Sequence, residues 1–238
     1  DDPSEYFTIN HYTGSGSSGL QVRNSANAGD FKPDWLWIKP TSLSDNHVIF
    51  DSNRGSDRQL KFQSTDAEDT HSPARVTFET NGFDVDTTDQ NYNQSSATYA
   101  AWQWKCNGGT TTSFTESGNN PGGTIQTNTT AGFSIITTTG TGNTGTIAHG
   151  LGAVPHLIIS KGRSNAGAWA VYHHKNTSAP ETDFLNLATN GGTTDSPVYY
   201  NDTAPTSSVF TLKTTNDING DGRTYVHYVF TEIQGYSK

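Results

Sequence analysis

"GTIAHGLGAVPHLIISKGRS" (residues 145–164) and "DFKPDWLWIKPTS" (residues 30–42) follow one rhythm. Each passes from a proline through a short apolar run to a lysine, then to a polar turn ending in serine. Aligned on Pro33 and Pro155, they set Trp35 opposite Leu157, Trp37 opposite Ile159 and Lys39 opposite Lys161. "DWLWIK" and "HLIIS" are apolar at consecutive positions, the pattern of a strand buried on both faces.

The match extends outward in order. "YFTINHYTGSGSSG" pairs with "GFSIITTTGTGNTG", placing Phe7 opposite Phe133, Ile9 opposite Ile135 and three glycines in step. "HVIFDS" pairs with "WAVYHH" and "QLKFQST" with "FLNLATN". "GFDVDTTDQNYNQSSATYAAWQWK" pairs with "VFTLKTTNDINGDGRTYVHYVFTE", with Thr98 and Tyr99 opposite Thr224 and Tyr225. Blocks of strand length that recur in one order imply a unit written twice. The period is too long for a solenoid, so the expectation is tandem domains over 1–106 and 132–238. Residues 107–131, rich in Gly, Thr and Asn, read as a linker or long surface loop, with "GTIQTNTT" able to form an edge strand.

Composition fits a β protein. Hydrophobic residues make up 31% of the 238 and charged residues only 16%, with 24 glycines, 5 Trp, 10 Tyr and 11 Phe. Mean hydropathy is −0.67. Disordered chains combine low hydropathy with few aromatics and high charge, and this chain does not. Thr, Val, Ile and aromatics favour strands, while Gly, Asn and Asp supply turns. Strands at this spacing predict an all-β chain of two tandem antiparallel β-sandwich, jelly-roll-like domains. The net charge of −9 argues against nucleic acid, and no apolar run reaches the ~20 residues of a spanning helix. One cysteine, Cys106, allows no intrachain disulfide. With no methionine at its start, the chain reads as a cleaved or excised part of something longer.

The internal comparison also sorts the aromatics. Trp35, Trp37, Trp102 and Trp104 stand opposite Leu157, Ile159, Tyr228 and Phe230 and are expected in the interior. Trp169, opposite His47 after a Gly-rich turn, sits near a strand edge. Tyr92 in "DQNYNQSS" and Tyr199 and Tyr200 in "DSPVYYNDTAP" lie among Asn, Asp and Ser, a mixture suited to flat polar targets. An exposed ring can stack on the C–H face of a sugar. These four residues are the candidate ligand contacts.

"NDINGDGRT" places Asp217, Asn219 and Asp221 before Gly222, the early oxygen ligands of a calcium loop. The bidentate acid such a loop needs falls on Tyr228, and a polar hairpin turn is the competing reading. Calcium is the one cofactor entertained. His173 and His174 are adjacent, so on a strand they point to opposite faces and do not chelate one metal together. No nucleophile motif or close carboxylate pair appears, so no enzyme is expected.

Taken together, "DDPSEYF", "YTGSGSSG", "KPDWLWIK", "HVIFDSNRG", "NGFDV", "TYAAWQWKCNGG", "TTAGFSI", "HGLGAVPHLIISK", "WAVYH", "NDTAPTSSVF" and the closing "GYSK" resemble a repeated domain of bacteriophage structural proteins, notably tail- or fibre-associated proteins of marine phages. The resemblance covers nearly the whole chain. It implies a virion component exposed at the particle surface, with further repeats in tandem, and assigns no catalytic or ligand residue. The expected function is therefore that of a non-enzymatic virion surface protein. As a tail-fibre adhesin it would hold host-surface polysaccharide through weak sites multiplied by avidity. The alternative is a purely structural subunit, a capsid decoration or fibre shaft. Expected partners are other virion subunits in a homo-oligomer such as a trimer, with no nucleic acid and no membrane insertion.

Overall fold

A computed structural model describes residues 2–24, 30–235 and 237, so Asp1, Tyr236 and Lys238 of the motif blocks lie outside the described residues. The chain is all-β and its strand pairings are antiparallel. Among the described residues the only helical pieces are single 3-10 turns at Pro3–Glu5 and Pro180–Thr182. It divides into two compact units, Asp1–Gln63 with Asp69–Gly109, and Ser64–Glu68 with Thr110–Lys238.

The first unit contains β1 (Phe7–Thr13), β2 (Leu20–Arg23), β3 (Trp35–Pro40), β4 (Val48–Asp51), β5 (Gly55–Lys61), β6 (Asp69–Thr70), β7 (Val76–Glu79), β8 (Gly82–Val85) and β9 (Thr98–Trp104). One sheet runs β1-β9-β3-β4-β5-β6 and a smaller one β2-β8-β7. Leu36, Ile38, Val48, Phe50, Tyr99 and Ala101 from the first meet Val22, Val76, Phe83 and Val85 from the second in one buried cluster. That shared core gives the unit its sandwich-like character. Each fully buried Leu, Ile, Val or Phe contributes roughly 1.5–3 kcal/mol.

In the second unit are β10 (Thr112–Phe114), β11 (Gly122–Asn128), β12 (Phe133–Thr139), β13 (Gly145–Ala148), β14 (Pro155–Gly162), β15 (Trp169–His173), β16 (Asp183–Asn186), β17 (Thr194–Asp195), β18 (Val209–Leu212) and β19 (Thr224–Thr231). The large sheet runs β10-β11-β12-β19-β14-β15-β16-β17, and β13 pairs with β18. Ile136, Ile158, Ala170, Tyr172 and Val229 pack with Ile147, Phe210 and Leu212.

Strands equivalent in sequence occupy equivalent places. The order β1-β9-β3-β4-β5-β6 recurs as β12-β19-β14-β15-β16-β17, and β2-β8 recurs as β13-β18. Register recurs with it: Phe7 opposes Trp104 as Phe133 opposes Phe230, and Trp37 opposes Trp102 as Ile159 opposes Tyr228. β3 and β14 are central strands, as their consecutive apolar residues predict. Of the four tryptophans expected inside, Trp35 is buried at 3% exposure, while Trp37, Trp102 and Trp104 are half-buried. They pack against one another across strands with their rings tilted, Trp35 on Trp104 at 4.4 Å and Trp37 on Trp102 at 4.8 Å.

Of the two readings of residues 107–131, the structure follows the strand in "GTIQTNTT", although with β10 outside it that strand is not the edge. Residues 107–131 carry β10 and β11, and β11 pairs with β12 along its whole length, from Gly122 opposite Thr139 to Asn128 opposite Phe133. Their signal in the sequence is weak because Phe114 and Ile125 are the apolar side chains they pack on the core. The close approach also needs glycine, since a Cβ at Gly123 would fall 1.8 Å from the Thr137 carbonyl oxygen.

Candidate functional site

The four proposed ligand contacts are interior residues. Tyr92 is 1% exposed, Trp169 0%, Tyr199 8% and Tyr200 2%. The Tyr92 hydroxyl donates to Gln59, and its carbonyl accepts from the Tyr12 hydroxyl at 2.8 Å. Trp169 Nε1 donates to the Ser64 carbonyl at 3.2 Å. Tyr199 stacks on Phe184 at 3.8 Å and donates to Asp217 at 2.9 Å; Tyr200 donates to the Ala170 carbonyl at 3.1 Å. Burial raises the pKa of all three tyrosines, and Asp217 adds to the rise at Tyr199. Tyr92 belongs to the first unit and the other three to the second. The polar neighbours that suggested a binding surface build the loops, and the rings face inward to plug them.

The calcium-like triad lies in a turn, and two of its three side chains bond within the unit. Asp217 accepts from the Tyr199 hydroxyl and from the Ala168 N–H at 3.1 Å. Asn219, fully buried, accepts from the Thr141 N–H at 3.1 Å and donates to the Asn143 carbonyl at 2.6 Å. Asp221 is exposed, ahead of Gly222 with φ +65°. Asn93 clips the corresponding loop of the first unit, accepting from the Ser15 N–H at 2.7 Å and donating to the Ser17 carbonyl at 2.7 Å. Among the described residues, no group of three or more His, Cys, Asp or Glu is arranged to hold a metal ion.

A histidine cluster escaped the sequence reading. His156 is the second residue of β14, His173 ends β15, and Glu232 follows β19; since β14 lies between β15 and β19, these ends meet. His174 stacks on His156 at 3.7 Å with planes 10° apart, and His156 Nδ1 lies 3.6 Å from the Glu232 carboxylate. The four surround a recess of about 130 Å³. Burial, then His156, lowers the pKa of His174. Rings stacked in parallel do not aim their lone pairs at one point, so the geometry does not suit chelation.

A wider cleft, about 360 Å³, opens on the first unit between β1 and β2, lined by Ile9, Asn10, His11, Tyr12, Gln21, Val22 and Arg23. Asn10 spans it by donating to the Arg23 carbonyl at 2.8 Å, and Arg23 pairs with Asp84 at 2.6 Å. In the second unit the corresponding side is closed by the β10–β11 hairpin. Its Asn120 accepts from the Thr146 N–H at 2.8 Å, and the Asn119 carbonyl accepts from the Thr141 hydroxyl at 2.9 Å. The open cleft is therefore one place where the two units offer different surfaces to solvent.

No curated protein and no solved structure matches the chain. One family model, described as a domain of unknown function (DUF7483), matches residues 2–238 and so takes in both units; the chain belongs to that family.

Proposed function

We propose that this chain is a non-enzymatic structural module of a phage virion surface protein, built as two tandem β-sandwich domains from a duplicated unit. Its work is to present rigid, repeated sandwiches to neighbouring virion subunits within a homo-oligomer, without a cofactor. The observation that carries this reading is the fate of the loop side chains. Tyr92, Tyr199 and Tyr200, with Asn93 and Asn219, are bonded within their own units and cap the sandwich ends. Loops so fixed favour the structural subunit over the glycan adhesin, whose proposed contacts were those same rings. The recurrence of strand order and register supports the duplication. The resemblance of the sequence blocks to phage tail and fibre proteins supports the setting.

Two experiments test it together. Gold-labelled antibody raised against the chain should decorate purified phage particles at regular positions, and the purified chain should leave a glycan array blank. Labelling confined to host debris would remove the virion reading. Saturable binding to a defined polysaccharide would restore adhesion in place of the purely structural role.

A further inference from the structure

Among the described residues the two large sheets have four outer edges, and three end in very short strands: β6 and β17 with two residues each, β10 with three. The fourth is β1, with seven. Sheet edges are ordinarily guarded by shortness, a bulge, proline or lysine, because an open edge templates further pairing. β1 reads FTINHYT and has none of these guards; its register with β9 runs unbroken from Phe7 opposite Trp104 to Thr13 opposite Thr98.

The backbone direction of β1 follows from its ends. The Lys105 N–H donates to the Tyr6 carbonyl and the Gly14 N–H to the Ala97 carbonyl, both at 2.8 Å. Hydrogen-bonded residues alternate along an antiparallel pair. Thr8, Asn10 and Tyr12 therefore turn their backbone groups to β9, and Phe7, Ile9, His11 and Thr13 turn theirs outward. Ile9 is 44% exposed, and His11 and Thr13 are exposed as well. The second unit has this edge filled: Phe133, Ile135, Thr137 and Thr139 stand opposite Asn128, Gln126, Thr124 and Gly122 of β11.

A copy of β11 does not suit the first unit. Its turn passes over Gly145, where a Cβ would lie 2.2 Å from the Asn119 carbonyl oxygen; strand register puts Leu20 at that place in the first unit, one residue past the Gly19 that the block alignment sets opposite Gly145. Ile125, opposite Ile136, would face Asn10 beside Gln21 and Arg23 instead. A fitting strand needs a polar residue there and no tight turn. β1 of a second copy meets both conditions. Running antiparallel about Asn10, it sets Asn10 against its own counterpart, Ile9 against His11 and Phe7 against Thr13, with no like-charged pair at neutral pH.

We propose that two copies of the chain associate through β1, joining their six-stranded sheets edge to edge with Asn10 on the twofold axis. The pairing stands apart from the virion reading, since it is a property of the purified chain.

Sedimentation velocity across a concentration series should show a monomer–dimer equilibrium. Ile9→Pro removes an outward N–H that β9 does not use, so the thermal midpoint should hold while the dimer weakens roughly tenfold. Asn10→Cys should form an interchain disulfide under mild oxidation, because the central pair is non-hydrogen-bonded with Cα atoms about 4.5 Å apart. Thr8→Cys, off the axis, should not. A monomer at every concentration, a dimer indifferent to Ile9→Pro, or a β1 that pairs only with a strand of a different virion protein would each overturn the proposal.

Discussion

Tyr99 and Tyr225 pin their loops in the same way. The Tyr99 hydroxyl accepts from the Gln94 N–H and donates to the Gln90 carbonyl, both at 2.8 Å. The Tyr225 hydroxyl accepts from the Gly220 N–H at 2.7 Å and donates to the Asn216 carbonyl at 2.8 Å. Tyr99→Phe and Tyr225→Phe should each cost about 1–3 kcal/mol, because one oxygen's loss strands two backbone groups; urea denaturation checks the match. His227 makes a different prediction. Fully buried between the hydroxyls of Thr138 at 3.0 Å and Ser160 at 2.9 Å, it is pushed by burial down to about 3. The unfolded chain then binds the extra proton between pH ~6.5 and ~3, so this contribution to stability is complete above ~6.5 and is lost as pH falls toward 3. The slope should be up to roughly 1.4 kcal/mol per pH unit in that window. Urea midpoints at acid and neutral pH should differ less in His227→Gln than in the parent. Neither role was legible beforehand: Tyr99 and Tyr225 were visible as a matched pair, but alternation along a strand does not say where a hydroxyl ends. The same blindness misplaced Tyr92, Tyr199 and Tyr200, since polar neighbours mark a loop equally well when its aromatic ring turns inward.

At the level of elements, legibility followed apolar density. β3 and β14 carry consecutive large side chains and were readable as central strands, and their partners β9 and β19 followed from alternation. β10 and β11 gave a weaker signal, an edge strand at most, because Thr and Gly fill half of their positions and Phe114 and Ile125 are the apolar side chains they pack on the core. Sequence comparison of the halves had no sister segment to set beside them. Gly145 gives the hairpin room, as the 2.2 Å approach to the Asn119 carbonyl oxygen demands. Gly145→Leu, which installs the residue that strand register places there in the first unit, should lift the hairpin turn from β13 and break the Asn120 contact to Thr146. Limited proteolysis should then cut within residues 110–128 at protease levels that leave the parent intact. Unchanged resistance would mean that the turn tolerates the side chain by moving as a body.

For the whole molecule, the halves of the sequence and the units of the fold do not quite coincide. Ser64–Glu68 lies between β5 and β6 in the chain, yet it belongs to the second unit. Its backbone is tied there, the Thr65 carbonyl accepting from the Gly167 N–H at 2.7 Å and from Lys161 Nζ at 3.1 Å, and the Glu68 N–H donating to the Arg163 carbonyl at 2.8 Å. The Glu68 carboxylate takes both Arg163 Nε and an Arg163 terminal nitrogen at 2.9 Å, with the Glu68 side chain only 6% exposed. A repeat read from aligned blocks cannot show such an exchange, because the alignment places "QLKFQST" wholly with the first copy. Glu68→Gln keeps the shape and one acceptor but removes the charge that a bidentate guanidinium matches. With Arg163 about one-fifth exposed, water replaces part of the loss, so the cost should be about 1–2 kcal/mol. The decisive readout is where that cost appears. Hydrogen exchange should quicken at the Gly167 and Glu68 amides and through the β14–β15 turn, while the amides of β3, β4 and β9 keep the parent's rates. Uniform quickening across both units would instead mean that the chain opens as one cooperative body.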